Sequence, residues 1–167
     1  YKTFDDKSVV ETFKYGNNQV YKYNEKAGIT DISGNDTGHY SATGAFVVIK
    51  DNKAYWASIC DSYIVHFDSE MNLRFMSSGL CRPYAVINGE ERMIDHIENG
   101  VLNLERDDRI FILTDGFEHY VKNPNFLKLF KEWNDNLKER VIKFSEKVNL
   151  IDPEKYGHER SLIAVLF

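Results

Sequence analysis

Three acidic residues stand where predicted β-strands begin or end, and their carboxylates could hold a metal ion. Asp61, Asp115 and Glu159 each lie beside a short run of β-branched or aromatic residues. Carboxylate oxygens are the ligands that Mg²⁺ and Mn²⁺ prefer, and a strand end holds a ligand in a fixed position. The pattern indicates a divalent-cation site, although each residue taken alone also fits an ordinary turn, a cap or a surface ion pair.

The overall composition fits one folded domain and disfavours several other classes of protein. The chain has 167 residues, of which 43% are hydrophobic and 28% charged, so it is long and apolar enough to bury a core. Its formal net charge is −5, which disfavours a dedicated nucleic-acid binder because phosphate contacts need clustered Lys and Arg. No apolar run approaches the roughly 20 residues of a membrane span. We therefore expect a cytoplasmic protein that binds neither nucleic acid nor membranes.

The cysteines and the common catalytic motifs exclude several kinds of site. Two cysteines are too few for a disulfide framework or a Cys-rich zinc site. Neither Cys60 nor Cys81 begins the Cys-x5-Arg loop of cysteine-based phosphatases, because no Arg stands six residues after either one. We expect each to behave as a small apolar residue in a reducing compartment. The sequence also lacks a phosphate-binding Gly-x4-Gly-Lys loop, a dinucleotide-binding glycine motif and a His-Glu-x-x-His zinc motif.

Hydrophobic periodicity predicts the elements that must position these residues. Apolar positions at helical spacing predict helices over 5–27 and 126–148, and Gly16 with the Asn17-Asn18 pair is expected to divide the first of them. Residues 28–41 are predicted as a loop. Short β-branched and aromatic runs predict seven strands: Ala45–Ile49, Ala54–Cys60, Tyr63–Phe67, Leu73–Met76, Val101–Leu104, Ile110–Thr114 and Ser161–Phe167.

The lengths of the connections predict how these strands pair. The first four strands are joined by short turns and are expected to form an antiparallel meander, and the fifth and sixth a hairpin. A helix before the meander and another before the last strand complete the pattern. These predicted helices and strands together indicate an α+β layered domain.

The order of the acidic motifs resembles that of the metal-dependent protein phosphatase 2C (PPM-type) Ser/Thr phosphatases. Ser41–Ala45 leads into a strand, as a Gly/Ser/Thr-rich segment does in the family. Cys60-Asp61-Ser62 matches the family's Gly-Asp-Ser junction, except that Cys replaces Gly. Thr114-Asp115-Gly116 matches the family's third motif without substitution. Glu159-Arg160 occupies the position where the family has Asp-Asn or Asp-Asp before the last strand.

The resemblance implies a role for each of these residues. Asp115 and Glu159 would be catalytic ligands of a binuclear Mg²⁺ or Mn²⁺ centre. Gly116 would belong to the metal site as well, because it would let the backbone turn sharply beside the cations. Asp61 would contribute to a weaker additional metal position, or simply shape the hairpin.

The resemblance also implies the reaction. A metal-bound hydroxide would attack phosphorus in line and hydrolyse phosphoserine or phosphothreonine on signalling proteins. His158 or His39 could protonate the leaving alkoxide, although an ordinary loop histidine is the favoured interpretation of each.

The resemblance covers roughly residues 9–167 and implies antiparallel β-sheets, a β-sandwich, flanked by helices within a single domain over 1–167. The family's first strands carry an Arg that grips phosphate, a Glu-Asp pair and an Asp-Gly that bridges the metals. None of these stands here in the expected form, and Phe4-Asp5-Asp6 is only a faint echo of Phe-Asp-Gly. We therefore expect a domain that is incomplete at its amino terminus, whose missing metal ligands an upstream segment or a second chain supplies.

Two other functional classes stay open at this point. The first is a catalytically inactive phosphatase-like module used for binding or regulation, which the missing early motifs favour. The acidic character of both Asp115 and Glu159 favours the active enzyme instead, since an inactive site has no need for them. The second class is an unrelated structural or interaction domain whose acidic strand ends are turns.

Overall fold

The computed structural model of the protein describes residues 5–29, 40–82 and 86–167, and within them the chain forms two antiparallel sheets and several helices. The strands are β1 (Gly44–Lys50), β2 (Lys53–Ile59), β3 (Ser62–Phe67), β4 (Leu73–Met76), β5 (Glu98–Asn103), β6 (Arg109–Thr114) and β7 (Leu162–Leu166). The α-helices are α1 (Asp6–Lys26), α2 (Glu118–Val121), α3 (Pro124–Leu127), α4 (Leu137–Ile151) and α5 (Pro153–Tyr156). Short 3-10 helices cover Glu91–His96, Asp115–Phe117 and Lys128–Lys131. The predicted α+β class with antiparallel sheets is confirmed.

Some predictions fall outside the described residues. Most of the predicted loop over 28–41 lies there, and so do His39 and Phe4. Within the residues that the structure does describe, no helix is long and apolar enough to cross a membrane.

All seven predicted strands form, but two of the predicted pairings are wrong. The strand orders are β1-β2-β5 in one sheet and β4-β3-β6-β7 in the other. Strands β2 and β3 therefore do not pair although only two residues separate them, and β5 and β6 do not form a hairpin.

Backbone angles explain the difference between the β1–β2 and β2–β3 junctions. Asp51 and Asn52 have φ values of 50° and 58°, as a type I′ turn requires, and they join β1 to β2 as a hairpin. At the β2–β3 junction Cys60 has a φ of 61°, but Asp61 has no positive φ. The chain therefore leaves the first sheet at this point, and β5 takes the place beside β2.

By its contacts the chain divides into two compact units, one of residues 1–64 with 77–104 and the other of residues 65–76 with 105–167. A single domain over residues 1–167 stays a prediction.

In the first unit, helix α1 packs through Val9 and Phe13 against Ala57 and Ile59 of β2 and against Met93. The apolar positions at helical spacing in α1 thus form the core of this unit.

The predicted break of the first helix at Gly16 and Asn17-Asn18 is wrong, since α1 is continuous. Asn17 is buried, its Nδ2 donates to the Glu90 carbonyl at 2.9 Å, and its Oδ1 accepts from the Gly89 amide at 2.8 Å. These long-range hydrogen bonds satisfy the polar side chain inside the fold. Tertiary contacts therefore override the weak local helix propensity of Asn and Gly.

The predicted helix over 126–148 is interrupted at residues 132–136. Glu132 has extended backbone angles, and the Asn134 side chain accepts a hydrogen bond from the Asn136 amide at 3.2 Å. Such local bonds from a polar side chain offer the backbone an alternative to the helix. The prediction was wrong at this point because its apolar stripe continues across a stretch whose polar residues favour a turn.

The aromatic positions before this interruption still form a core in the second unit. Phe126 and Phe130 are fully buried, with ring centroids 5.3 Å apart. Phe130 also lies 4.6 Å from the ring of Phe111 in β6. This cluster fixes the segment after β6 against the sheet.

We predict that Asn24→Ala strongly destabilises the first unit. The Asn24 side chain is 1% exposed, donates to the carbonyls of Tyr40 and Asn88, and accepts from the Tyr40 amide. Removing it leaves buried polar groups without partners, so the free energy of unfolding in urea should fall by about 2–4 kcal/mol. The control Asn18→Ala, at an exposed position of the same helix, should change it by less than about 0.5 kcal/mol. Equal effects of the two substitutions would contradict this.

We also predict a pH-dependent contribution from Asp68 in the β3–β4 turn. The Asn72 side chain, and then the amides of Asn72 and Glu70, donate hydrogen bonds that hold the pKa of the Asp68 carboxyl below its usual value. Because the folded pKa is the lower one, this stabilisation is present above the unfolded pKa of about 3.9 and is lost as pH falls through the folded pKa.

The stability difference between the native chain and Asp68→Asn should therefore shrink below about pH 4 in urea titrations. An exposed carboxylate on α4 offers the control, since Glu146→Gln should give a small difference at every pH. A difference for Asp68→Asn that does not change with pH would rule out this contribution.

Candidate metal centre

The ends of β6 and β7 bring two of the predicted acidic motifs to one edge of the second sheet. The strands pair antiparallel, and the last pair in register is Leu113 with Leu162. Just beyond it, the Thr114 amide donates to the Ser161 carbonyl at 3.2 Å, and the Ser161 amide donates to Thr114 Oγ1 at 3.0 Å. The residues that follow Thr114 and precede Ser161 are thereby held side by side.

Gly116 makes the closest backbone contact at this edge. It is buried, and a Cβ atom built on it would overlap the carbonyl oxygen of Glu159 and lie 2.8 Å from Cβ of Arg160. Only a residue without a side chain fits here. The structure thus brings Asp115, Gly116 and Glu159 together, while their role as metal-site residues stays a prediction.

The two carboxylates at this edge are exposed, and one of them is oriented by the backbone. Asp115 begins the 3-10 turn after β6, and its Oδ1 accepts a hydrogen bond from the Gly116 amide at 2.8 Å. Glu159 lies in the segment between α5 and β7. Both side chains can therefore bind a cation without first breaking a buried contact.

Arg160, which the sequence analysis did not single out as a functional residue, holds the segment that carries Glu159. Its Nη1 donates to the carbonyls of Tyr156 and His158 at 2.8 and 3.0 Å. Its guanidinium also lies 5.3 Å from the centre of the Tyr120 ring, a cation–π geometry. In the sequence, the one sign of this role was that Arg160 directly follows Glu159, and that pair was interpreted as a surface ion pair.

Tyr120 provides the buried side of this arrangement. It is fully buried, and its hydroxyl donates to the Tyr156 carbonyl at 3.1 Å. Burial raises the pKa of the Tyr120 hydroxyl, against the lowering effect of Arg160. The hydrogen bond needs a protonated hydroxyl, which is the ordinary state of tyrosine near neutral pH.

Two further predicted residues, His158 and Asp61, belong to different units. His158 is exposed, and its Nε2 donates to the Glu154 carbonyl at 3.0 Å, so the ring is tied to the preceding helix. Its role as a proton donor stays a prediction. Asp61 is half-buried at the β2–β3 junction of the first unit, whereas Asp115 and Glu159 belong to the second.

The expectation of two separate apolar cysteines is wrong, because Cys60 and Cys81 form a disulfide with their Cα atoms 4.0 Å apart. The sequence analysis missed the pairing because it treated each cysteine by its neighbours along the chain, 21 residues apart. Cys60, which the resemblance matches with the family's glycine, has a φ of 61°. That positive φ explains why glycine suits this junction.

The chemistry of Asp115 and Glu159 fits a hard divalent cation such as Mg²⁺ or Mn²⁺. Mg²⁺ is commonly held by one or two carboxylates and keeps several of its waters. Compact groups of three or more His, Cys, Asp or Glu side chains, with ligand atoms within 4.8 Å of one another, are candidates for a metal site. Residues 5–29, 40–82 and 86–167 contain one such group, formed by Cys60, Asp61 and Cys81. Within the same residues, Asp115 and Glu159 thus have no third protein ligand in a compact group.

Comparison with known proteins places this fold among phosphatases. The profile of the protein phosphatase 2C family matches residues 6–149. The catalytic domain of the serine/threonine protein phosphatase PstP, solved with two manganese ions, has 13% sequence identity and a TM-score of 0.67, over 99% of this chain and 74% of that one. A bacterial serine phosphatase variant has 12% identity and a TM-score of 0.62, over 99% of this chain and 68% of that one. RsbX in complex with magnesium has 11% identity and a TM-score of 0.51, over 96% and 75%.

At these identities the structural likeness establishes the fold. No curated protein matches the sequence. The similar structures support the phosphatase fold, and two of them hold manganese or magnesium.

We predict that Gly116→Ala disrupts this edge of the sheet. The new methyl group would overlap the Glu159 carbonyl, so the backbone must separate and the free energy of unfolding should fall by about 2 kcal/mol or more. Gly16→Ala is the matched control, because nothing lies within 4 Å of that position inside α1. There the substitution should raise stability by up to about 1 kcal/mol. Urea unfolding of both variants would show opposite signs, and a neutral Gly116→Ala would contradict the close contact.

Proposed function

Because this chain belongs to the protein phosphatase 2C family, we propose that it acts in a metal-dependent phosphatase that hydrolyses phosphoserine and phosphothreonine on proteins. The observation that carries the proposal is the contact of the Gly116 backbone with that of Glu159. This contact brings the backbone of Gly116, which follows Asp115, against the backbone of Glu159, and both acidic residues are exposed. Such a pair suits a cation that must also bind a phosphate group.

The proposed ligands are Asp115 and Glu159, which would hold Mg²⁺ or Mn²⁺ in a centre of two ions, and Gly116 provides the space between their backbones. When bound, these cations would activate water, bind phosphate oxygens and neutralise developing negative charge. Two carboxylates fill only part of an octahedral shell. The proposal therefore includes further oxygen ligands from water and from an upstream segment or a second chain.

The remaining residues act in this proposal by positioning the ligands. The hydrogen bond from the Gly116 amide fixes one oxygen of Asp115 and leaves the other available to a cation. Arg160 orients the segment that carries Glu159 through two backbone carbonyls. His158 lies one residue before Glu159 and is the described candidate for protonating the leaving alkoxide.

Asp61 and the cellular location belong to the proposal as well. Asp61 would contribute to a weaker additional cation position in the first unit, or serve to shape the junction.

We propose a cytoplasmic location and a role in signalling by dephosphorylation. In a reducing cytoplasm, thiol-containing reductants would open the Cys60–Cys81 disulfide.

The test of the proposed function is Mn²⁺-dependent hydrolysis of a small aryl phosphate by the full-length gene product. We expect Asp115→Asn to lower the rate by about 100-fold or more, and Glu159→Gln by about tenfold or more, because each removes a charged cation ligand. Mn²⁺ binding measured by titration calorimetry should weaken in parallel. The matched control is Glu154→Gln, an exposed carboxylate on α5, which should leave both quantities unchanged.

The two measurements together distinguish the alternatives. Unchanged hydrolysis in Asp115→Asn would overturn the assignment of the metal site. Mn²⁺ binding without any hydrolysis would favour the inactive binding or regulatory module. Absence of both in the native protein would overturn the proposed function.

A further inference from the structure

The disulfide of the first unit lies beside a carboxylate, and the three side chains form a compact group of potential metal ligands. The Sγ atoms of Cys60 and Cys81 and a carboxylate oxygen of Asp61 all lie within 4.8 Å of one another. In a tetrahedral zinc site with Zn–S bonds of about 2.3 Å, neighbouring ligand atoms are about 3.8 Å apart. In the disulfide the two sulfur atoms are bonded to each other, so after reduction they must move apart by roughly 2 Å to reach this separation.

We propose that reduction of the Cys60–Cys81 disulfide creates a binding site for Zn²⁺, with both thiolates and the Asp61 carboxylate as ligands. This site is distinct in chemistry from the proposed phosphatase centre, because it uses sulfur ligands. Thiolates select zinc and similar soft or borderline cations, whereas Mg²⁺ and Mn²⁺ prefer oxygen. The inference does not rest on the proposed phosphatase activity.

The segment that carries Cys81 is held in place by contacts other than the disulfide. The Ser77 amide donates to the Ile64 carbonyl at 2.9 Å, and the Ile64 amide donates to Ser77 Oγ at 3.0 Å. The Ser78 amide donates to Glu98 Oε2 at 2.8 Å, and the Ser78 hydroxyl contacts the same carboxylate. These contacts do not depend on the S–S bond, so we expect them to keep Cys81 near Cys60 after reduction.

The other end of the site is equally constrained. Cys60 follows directly on β2 and is buried, and Asp61 leads directly into β3. A built Cβ on Gly79 would overlap the ring of Tyr63, so the segment before Cys81 packs tightly on β3. The ligands are thus held by the short junction between two consecutive strands and by a tethered segment, which lowers the entropic cost of binding a cation.

Exposure of the group gives both reductant and cation access to it. Cys81 is exposed and Asp61 is half-buried, while Cys60 is 5% exposed. A reductant can attack the exposed sulfur of Cys81, and water can complete the coordination as a fourth ligand.

Reduction of the disulfide precedes zinc binding. A cellular dithiol gives two electrons and two protons to the disulfide, so that the S–S bond breaks, two protein thiols form and the dithiol becomes a cyclic disulfide. On zinc binding the two thiols release their protons to solvent and two Zn–S bonds form. No electron moves in this second step.

The test uses the full chain, reduced with a trialkylphosphine, which becomes the phosphine oxide with oxygen from water. Co²⁺ serves as a spectroscopic probe for zinc, because thiolate ligation gives a charge-transfer absorption that oxygen ligation lacks. We expect the reduced chain to show this absorption with one Co²⁺ per chain, and Zn²⁺ to displace it. The oxidised chain should show no such absorption.

Variants identify the ligands. Cys81→Ser and Cys60→Gly should each lose the absorption, and Cys60→Gly should fold well because glycine favours the positive φ at that position. Asp61→Asn should retain the absorption and bind Zn²⁺ about tenfold more weakly. The control is Asp95→Asn, which changes an exposed carboxylate of the same unit and should leave Zn²⁺ binding as in the native chain.

Circular dichroism of each variant provides the control for folding. The proposal would be overturned if the reduced, folded chain gave no thiolate absorption with Co²⁺, or if the absorption persisted in Cys60→Gly. Because the readout detects sulfur ligands, cobalt bound at Asp115 and Glu159 would not produce it. A failed phosphatase assay would likewise leave this result intact.

Discussion

The candidate metal centre depends on how closely two backbone segments approach at the end of the second sheet. Antiparallel pairing of β6 with β7 brings Thr114 beside Ser161, and the residues beyond that pair must then share one small space. Gly116 permits this, since any Cβ atom would overlap the carbonyl oxygen of Glu159. Two carboxylates distant in sequence thereby reach one edge, with a hydrogen bond from the Gly116 amide orienting Asp115.

Packing behind this edge keeps the close approach in place. The Tyr120 ring is fully buried, with Phe117 at 5.0 Å and Phe126 at 5.3 Å between centroids. Tyr120 presents its hydroxyl to the Tyr156 carbonyl and its face to the Arg160 guanidinium. Apolar burial, a cation–π contact and hydrogen bonds to carbonyls thus act together on the segment that carries Glu159. The rings of Phe117, Tyr120 and Phe126 thus form the packed support of the segment that carries Glu159.

The sequence predicted the strands well and their long-range pairing poorly. The strand Leu73–Met76 has the predicted bounds, because β-branched and aromatic runs between turns are a strong local signal. The assignment of β2 and β3 to one sheet failed, because that depends on the backbone angle of Cys60 and on competition from β5. The contact of Gly116 with Glu159 joins residues more than forty positions apart, and only the order of the motifs hinted at it. The pairing of Cys60 with Cys81 carried no local signal at all.

The most direct measurement of the central claim locates bound Mn²⁺ by its paramagnetic broadening of backbone amide signals in the nuclear magnetic resonance spectrum of the full chain. If Asp115 and Glu159 hold the cation together, broadening at low Mn²⁺ should be strongest for Gly116 and Arg160 and should disappear in Asp115→Asn. Broadening centred on other acidic residues, or its persistence around Gly116 in that variant, would contradict the account.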